Sequence, residues 1–287
     1  MEIAICGMSG FVGSALKRYC EEKGDHVIGI SIRADTKTES LVARLEGCDV
    51  LINLAGASIM GRWSTHYKQV LRESRLETTR KLVEAFQQCQ NPPRALLNAS
   101  AVGIYDDEHQ HDEDSWYFGD DFLATLVREW ERSALLAHSE RTRVCLMRFG
   151  VVYGRGGGAM AKMLPPFQMG LGGKIGDGFQ MISWIHIDDL VRACRFLMEH
   201  ENLEGVFNFT APEPITNYAQ TKTMGHVLQR PVFFDLPNWL IQLVFGEGSS
   251  VMLDSKEVYP KRLQEAGFEF RHPTFDSAME EIAHAPA

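Results

Sequence analysis

Apolar runs and helical spacings alternate along most of the chain. Ile3 to Cys6 form a short apolar run, and three glycines follow at Gly7, Gly10 and Gly13. Val12, Ala15, Leu16 and Tyr19 then recur at helical spacing, and Gly24 stands where that helix should end. HVIGISI (26–32) predicts a second strand, LVARLEG (41–47) a short helix and CDVLINLAG (48–56) a third strand. A long helix is expected from an N-cap at Ser64 to about Gln90, stopped by Pro92 and Pro93. ALLNAS (95–100) predicts a fourth strand, FLATLVREWERSALLA (122–137) a helix and RVCLMRFGVVYG (143–154) a fifth strand. The strand runs are continuously apolar, as strands covered on both faces are. The pattern predicts an α/β fold: a Rossmann-like, doubly wound parallel sheet with helices on both faces.

From about Gly154 the texture changes. RGGGAMAKMLPPFQMGLGGKIGDG (155–178) is glycine-rich, carries a proline pair and is too long for a simple connection, so a functional or lobe-forming loop is expected. ISWIHI (182–187) resumes a strand. Asp188 and Asp189 fit an N-cap and a first-turn acid for the helix marked by Leu190, Val191, Cys194, Leu197 and Met198. GVFNFTA (205–211) is another strand, and short helical pieces follow Pro231. The expected division is a dinucleotide-binding domain over 1–230 and a small C-terminal lobe over 231–287.

The chemistry begins at the glycine turn. A strand, a tight turn and a helix N-terminus make a site for a pyrophosphate, because free backbone N–H groups and the helix dipole favour an anion. The spacing is GxxGxxG. Gly7 allows the sharp turn, Gly10 the approach of the pyrophosphate, and Gly13 the packing of helix on strand. The second strand ends in Ser31, Ile32 and Arg33. An NAD site usually places an acid here; a hydroxyl and an arginine suit a 2′-phosphate instead. Asp35 comes late for the acidic role. NADP is therefore expected, with NAD the alternative and a solvated surface arginine the plainest reading of Arg33.

The composition is that of an ordinary globular protein. Its 287 residues suffice for one large domain with a small lobe, at 45% apolar and 23% charged. A net charge of −9 gives no broad basic surface for nucleic acid or anionic lipid. No two of the six cysteines stand at CxxC spacing, so buried reduced thiols are expected. No basic-then-apolar leader opens the sequence, and no apolar run reaches the ~20 residues of a membrane helix. The cytoplasm is the expected compartment.

Longer motifs carry a family resemblance. CGMSGFVG (6–13), NLAG (53–56), NASAVGIY (98–105), RFGVVYG (148–154) and WIHIDDL (184–190) resemble extended short-chain dehydrogenase/reductases. SRLETTRKLVEA (74–85), the glycine-rich 156–178 stretch and SWIHIDDLV resemble more closely their atypical epimerase-like branch, the family of bacterial YfcH. GEGSSVMLDSKEVYPKRLQEAGFEFRHP (246–273) resembles that family's C-terminal domain of unknown function. The resemblance covers essentially the whole chain. It implies dinucleotide contacts from Gly7, Ser9, Gly10, Phe11, Val12 and Gly13, with Leu54, Ala55 and Gly56 along the adenosine-to-ribose path. It also implies a charged contact from Arg75, and Ser100, Ala101 and Val152 toward the nicotinamide. The family's Ser-Arg pair after strand two reads Ser31-Ile32 here, with the arginine one place later at Arg33.

The chain departs from the wider pattern in catalysis. Typical members use a serine and a Tyr-x-x-x-Lys pair, in which the lysine lowers the tyrosine's pKa. Ser100 fits the serine position. The helix segment GDDFLATLVREWE (119–131) has neither tyrosine nor lysine; Phe122, Leu126 and Val127 cannot exchange a proton. Tyr105 is the candidate acid, with a packing tyrosine as the alternative. Asp120 and Asp121 are expected to be caps, and His186 a satisfied core histidine. DDEHQHDED (106–114) is expected to be a solvated acidic loop with no metal. Lys174 and Asp177 lie in a loop that approaches the substrate in sugar-nucleotide epimerases. The following FQMISW lacks the arginine that grips a diphosphate. Two readings remain: an NADP-dependent oxidoreductase or epimerase acting on a small-molecule substrate, or a dinucleotide-binding module without turnover.

Overall fold

A computed structural model describes residues 1–284; the last three positions of the expected lobe, 285–287, lie outside the described residues. The first half alternates as the pattern predicts: β1 (Glu2–Cys6), α1 (Phe11–Glu22), β2 (His26–Ile30), α2 (Thr38–Leu45), β3 (Val50–Asn53), α3 (Thr65–Gln88) and β4 (Ala95–Ala101). A short strand β5 (Gln110–His111) precedes α4 (Phe122–Leu135) and β6 (Arg143–Phe149). Then come β7 (Val151–Tyr153), α5 (Met160–Gln168), β8 (Met181–Ile182), β9 (Trp184–His186), α6 (Ile187–Glu199) and β10 (Gly205–Phe209). The tail holds β11 (Ile215–Thr216), α7 (Asn217–Val227), α8 (Asn238–Phe245), α9 (Ser250–Leu253), β12 (Glu257–Val258), α10 (Lys261–Glu265) and α11 (Phe275–His284).

Six strands form one sheet in the order β10-β6-β4-β3-β1-β2, every pair parallel. The chain runs outward from β1 on one side to β2 and on the other to β3. The crevice at the carboxyl ends of β1 and β3 is therefore the switch point, where such sheets take their ligands. Alternate residues of each strand enter opposite layers. Ile3, Ile5, Val50 and Ile52 pack with Leu16 of α1 and Leu190 of α6. Ala4, Cys6 and Leu51 pack with Leu41 of α2, Leu82 of α3 and Ala134 of α4. Covering on both faces is what made the runs continuously apolar. The Ser64 hydroxyl accepts from the Tyr67 amide at 3.1 Å, and Asp121 caps α4 through the Ala124 amide at 2.8 Å.

Three expectations are corrected. The run 143–154 is two strands. At Gly150 the chain leaves the main sheet, its amide still bonded to Phe209 O, and Val151 N turns to Ser183 O, so that β7 pairs with β9. The loop 155–178 contains a helix, α5, with Pro165 and Pro166 inside it. The ladder closes before the pair, Met163 N to Ala159 O, and after it, Met169 N to Pro165 O. The cap of α6 is His186, whose ring accepts from the Asp188 amide at 3.3 Å; Asp188 and Asp189 both lie inside the first turn.

A third buried cluster joins Tyr153, Met160, Phe167 and Trp184 to Phe275, Ala278, Met279 and Ile282 of α11. Leu263 and Phe268 enter the main core. Among the described residues, no helix is long and apolar enough to cross a membrane. The Phe275 ring meets Trp184 edge-on at 5.4 Å and Tyr153 at 5.5 Å. Phe275→Ala is expected to cost about 3–5 kcal/mol of whole-chain stability, measured by denaturant melting. A loss under about 1 kcal/mol would show that α11 unfolds separately.

Candidate functional site

The crevice at the switch point is a cleft of about 480 Å³. It is lined by Cys6 to Gly10, Gly29 to Ile32, Leu54 to Gly56 and Thr78. At its centre the glycine turn is built by steric demand. Gly7 has φ +85°, and a Cβ on it would lie 2.9 Å from the Leu54 carbonyl carbon. A Cβ on Gly13 would lie 2.3 Å from Gly7 O, so only glycine lets α1 sit this close to the turn. The first amides of α1 have no intrahelical acceptors, and Gly10 offers no side-chain cap to take them. These features fit a pyrophosphate.

The structure brings most of the expected contacts together. Gly7, Ser9, Gly10, Ser31, Leu54, Ala55 and Gly56 all line the cleft. Phe11, Val12 and Gly13 form the first turn of α1. Phe11 is wrapped from the far side by 154–158: a Cβ on Gly157 would lie 2.1 Å from its ring, and one on Gly154 or Gly158 would come within 3.0 Å. Arg33 is exposed beyond Ser31; its amide donates to Thr36 Oγ1 at 2.7 Å. Lys81 of α3 holds that segment, with Nζ 2.8 Å from both Arg33 O and Ala34 O. Arg75 turns to the backbone, donating to Leu71 O at 3.1 Å and Ala57 O at 3.0 Å, with its guanidinium against Gly56. Burial pushes it down to about 10. Ala101 and Val152 are half-buried at the ends of β4 and within β7.

Ser100 and Tyr105 both face the interior, outside the lining of the cleft. Ser100 Oγ donates to Glu131 Oε1 at 2.6 Å, and Tyr105 is fully buried. Between them stands an ion pair. Arg148 Nε and Nη2 donate to Glu131 Oε1 and Oε2 at 2.7 and 2.8 Å, and Nη1 donates to the Tyr105 hydroxyl at 2.8 Å. The Tyr105 hydroxyl also lies 3.0 Å from Asn208 Oδ1. Burial raises the Tyr105 pKa, against the lowering effect of Arg148. Glu131 raises the Arg148 pKa, outweighing burial. Phe122 packs on Trp63 at 5.5 Å, while Leu126 and Val127 are buried, so the Tyr-x-x-x-Lys place is filled by packing.

These partners belong to a buried polar row across the carboxyl end of the sheet. Asn53, Asn98, Ser100, Arg148 and Asn208 stand on adjacent strands, all buried. Asn53 Nδ2 donates to Asn98 Oδ1 at 2.7 Å and Thr79 Oγ1 at 3.0 Å; Trp130 Nε1 donates to the same Thr79 oxygen at 2.9 Å. The sequence reading missed Asn53, Thr79, Asn98, Glu131, Arg148 and Lys81. A polar residue inside an otherwise apolar strand run was the signal for Asn53, Asn98 and Arg148.

The remaining candidates are tied elsewhere. Lys174 Nζ bonds Gly176 O at 2.8 Å and pairs with Asp235 at 3.2 Å; Asp177 Oδ1 accepts from the Phe179 amide at 3.0 Å. The acidic segment 106–114 is not simply solvated. Glu113 is buried and accepts from the Asn208 amide at 2.7 Å, while Asp114 pairs with Lys261 and Arg262 of the tail. His186 is buried, but only one of its ring nitrogens finds a hydrogen-bond partner. Burial and the neighbouring His272 push it down to about 4.

Fold and site define a Rossmann-type dinucleotide-binding protein of the α/β class. The chain belongs to the NAD dependent epimerase/dehydratase family, whose model matches residues 3–209. A second model, a domain of unknown function (DUF1731), matches 236–282. Epimerase family protein SH2119 of Staphylococcus haemolyticus is 36% identical over 298 residues, covering 99% of each chain. The crystal structure of human epimerase family protein SDR39U1 (isoform 2) with NADPH matches at TM-score 0.94 and 37% identity, over 100% of both chains. A nucleoside-diphosphate sugar epimerase from Corynebacterium glutamicum matches at TM-score 0.79 and 29% identity, over 99% of this chain and 58% of that one.

Glu131→Gln removes the charge that Arg148 answers. Breaking a buried pair from one side costs about 3–5 kcal/mol. Urea melts should show a loss of that order, and a loss below about 1 kcal/mol would mean that solvent reaches the pair.

Proposed function

We propose that this chain binds NADP(H) at the switch-point cleft and acts as an oxidoreductase or epimerase-like enzyme on a small-molecule substrate. The observation that carries the proposal is the cleft itself: the glycine turn at its centre, continued to Ser31 with Arg33 beyond, and no carboxylate lining its edge. Free amides of α1 hold the pyrophosphate, and Ser31 and Arg33 hold the 2′-phosphate on a segment braced by Lys81. The human relative crystallised with NADPH supports the cofactor. A bound nicotinamide supplies or accepts hydride. Free thiols at all six cysteines support a reducing compartment such as the cytoplasm.

A second reading, a dinucleotide sensor without turnover, is favoured by one observation. Ser100 and Tyr105 spend their hydroxyls on Glu131, Arg148 and Asn208, and the usual Tyr and Lys are absent. NADPH oxidation across a panel of carbonyl compounds separates the two readings. Turnover of any member supports the enzyme, and none across the panel supports the sensor. Ser100→Ala and Tyr105→Phe are expected to lower stability more than NADPH affinity.

Calorimetry tests the cofactor directly. Arg33→Ala should weaken NADPH by about tenfold or more, the value of a charge-assisted phosphate contact, and leave NADH nearly unchanged. Gly13→Val should abolish binding of both. Wild-type protein that binds neither nucleotide would overturn the proposal, and an equal loss for both in Arg33→Ala would remove the 2′-phosphate assignment.

A further inference from the structure

Two neighbouring histidines, His186 buried and His272 half-buried, each hold a buried ring nitrogen without a hydrogen-bond partner. His186 ends β9, and its Nε2 has no hydrogen-bond partner. The His272 ring lies 4.1 Å from it, centroid to centroid, with its Nδ1 also buried and unpartnered. An unpaired buried nitrogen costs free energy that a packed protein normally avoids. Two in contact call for a shared partner.

One carboxylate belongs to the same group and a second stands beside it. Ligand atoms of His186, Asp188 and His272 all lie within 4.8 Å of one another, and they are the one such group among the described residues. Glu281 Oε2 of α11 lies 3.0 Å from His186 Nε2 without the alignment of a hydrogen bond. The His272 backbone is held in place: fully buried Asp189 accepts from the Arg271 and His272 amides, each at 2.8 Å. The nearest competing cation, Arg271 Nη1, stands 3.8 Å from Asp188 Oδ2.

We propose that His186, His272, Asp188 and Glu281 form a binding site for a zinc-class divalent ion that staples the C-terminal segment to the dinucleotide-binding part. Two imidazole nitrogens and two carboxylate oxygens suit zinc in number, type and charge. His186 and Asp188 come from the region matched by the epimerase model, His272 and Glu281 from the region matched by the domain of unknown function. Coordination at His186 Nε2 puts the ring proton on Nδ1 and gives up the cap contact to the Asp188 amide. That contact is long, at 3.3 Å.

The test uses the full chain, stripped with chelator and titrated with Zn²⁺ against a chromophoric chelator, with Co²⁺ as the spectroscopic probe. One equivalent should bind, Co²⁺ should give the intense visible bands of a four-coordinate ion, and Zn²⁺ should raise the melting temperature. His272→Gln should weaken Zn²⁺ by at least about tenfold and abolish the thermal shift. Glu281→Gln, on a partly exposed carboxylate of α11, repeats the test if His272→Gln folds poorly. Zn²⁺ binding unchanged in both variants overturns the proposal, as does binding lost instead in His109→Gln of the acidic segment or no binding to wild type. NADPH affinity, measured in parallel, does not bear on the outcome.

Discussion

Five polar side chains cross the carboxyl end of an apolar sheet, and burial obliges each to find a partner inside the protein. That obligation organises much of what surrounds them. Asn53 donates to Asn98 and to Thr79 of α3, which in turn takes the Trp130 indole of α4. Ser100 and Arg148 take Glu131 of α4. Asn208 donates through Nδ2 to Tyr259 O, and its amide is taken by Glu113, which also receives the Arg262 amide. Helices, the acidic segment and the tail are thus positioned by one row. The cleft next to it inherits that rigidity, because the Asn53 side chain also accepts from the Ala55 amide on the cleft wall.

The row also bears on the catalytic question. In the expected scheme a serine and a tyrosine face the nicotinamide. Here the two residues nearest to that description are bound to a buried ion pair, and a hydroxyl held by a charge in a low-dielectric interior is costly to free. The dinucleotide cleft and the conventional proton-transfer apparatus are separable features of this fold, and this chain keeps the first.

The strands, the long helix with its Ser64 cap and the glycine turn were legible because each depends on local pattern: continuous apolar runs, a hydroxyl before a helix, glycines between strand and helix. Long-range demands were not legible. The break at Gly150 is set by Ser183 and Phe209, far along the chain, and nothing local distinguishes it from a continuing strand. The proline pair suggested irregular structure, yet a two-turn helix closes around it. Asp188 had the residue type of a cap, but the buried His186 side chain was better placed. The partners of Arg148 and Glu131 lie on different elements, so sequence could flag the charge without naming its counterpart.

The loop 154–158 closes on Phe11 across some 150 positions of sequence, and this has a consequence for how the molecule is made. On a ribosome the glycine turn emerges well before the residues that brace it. The nascent amino-terminal half holds β1 to β4 with its phosphate cradle unsupported. The packing of Phe11 against this loop is therefore completed only once the later segment has been made.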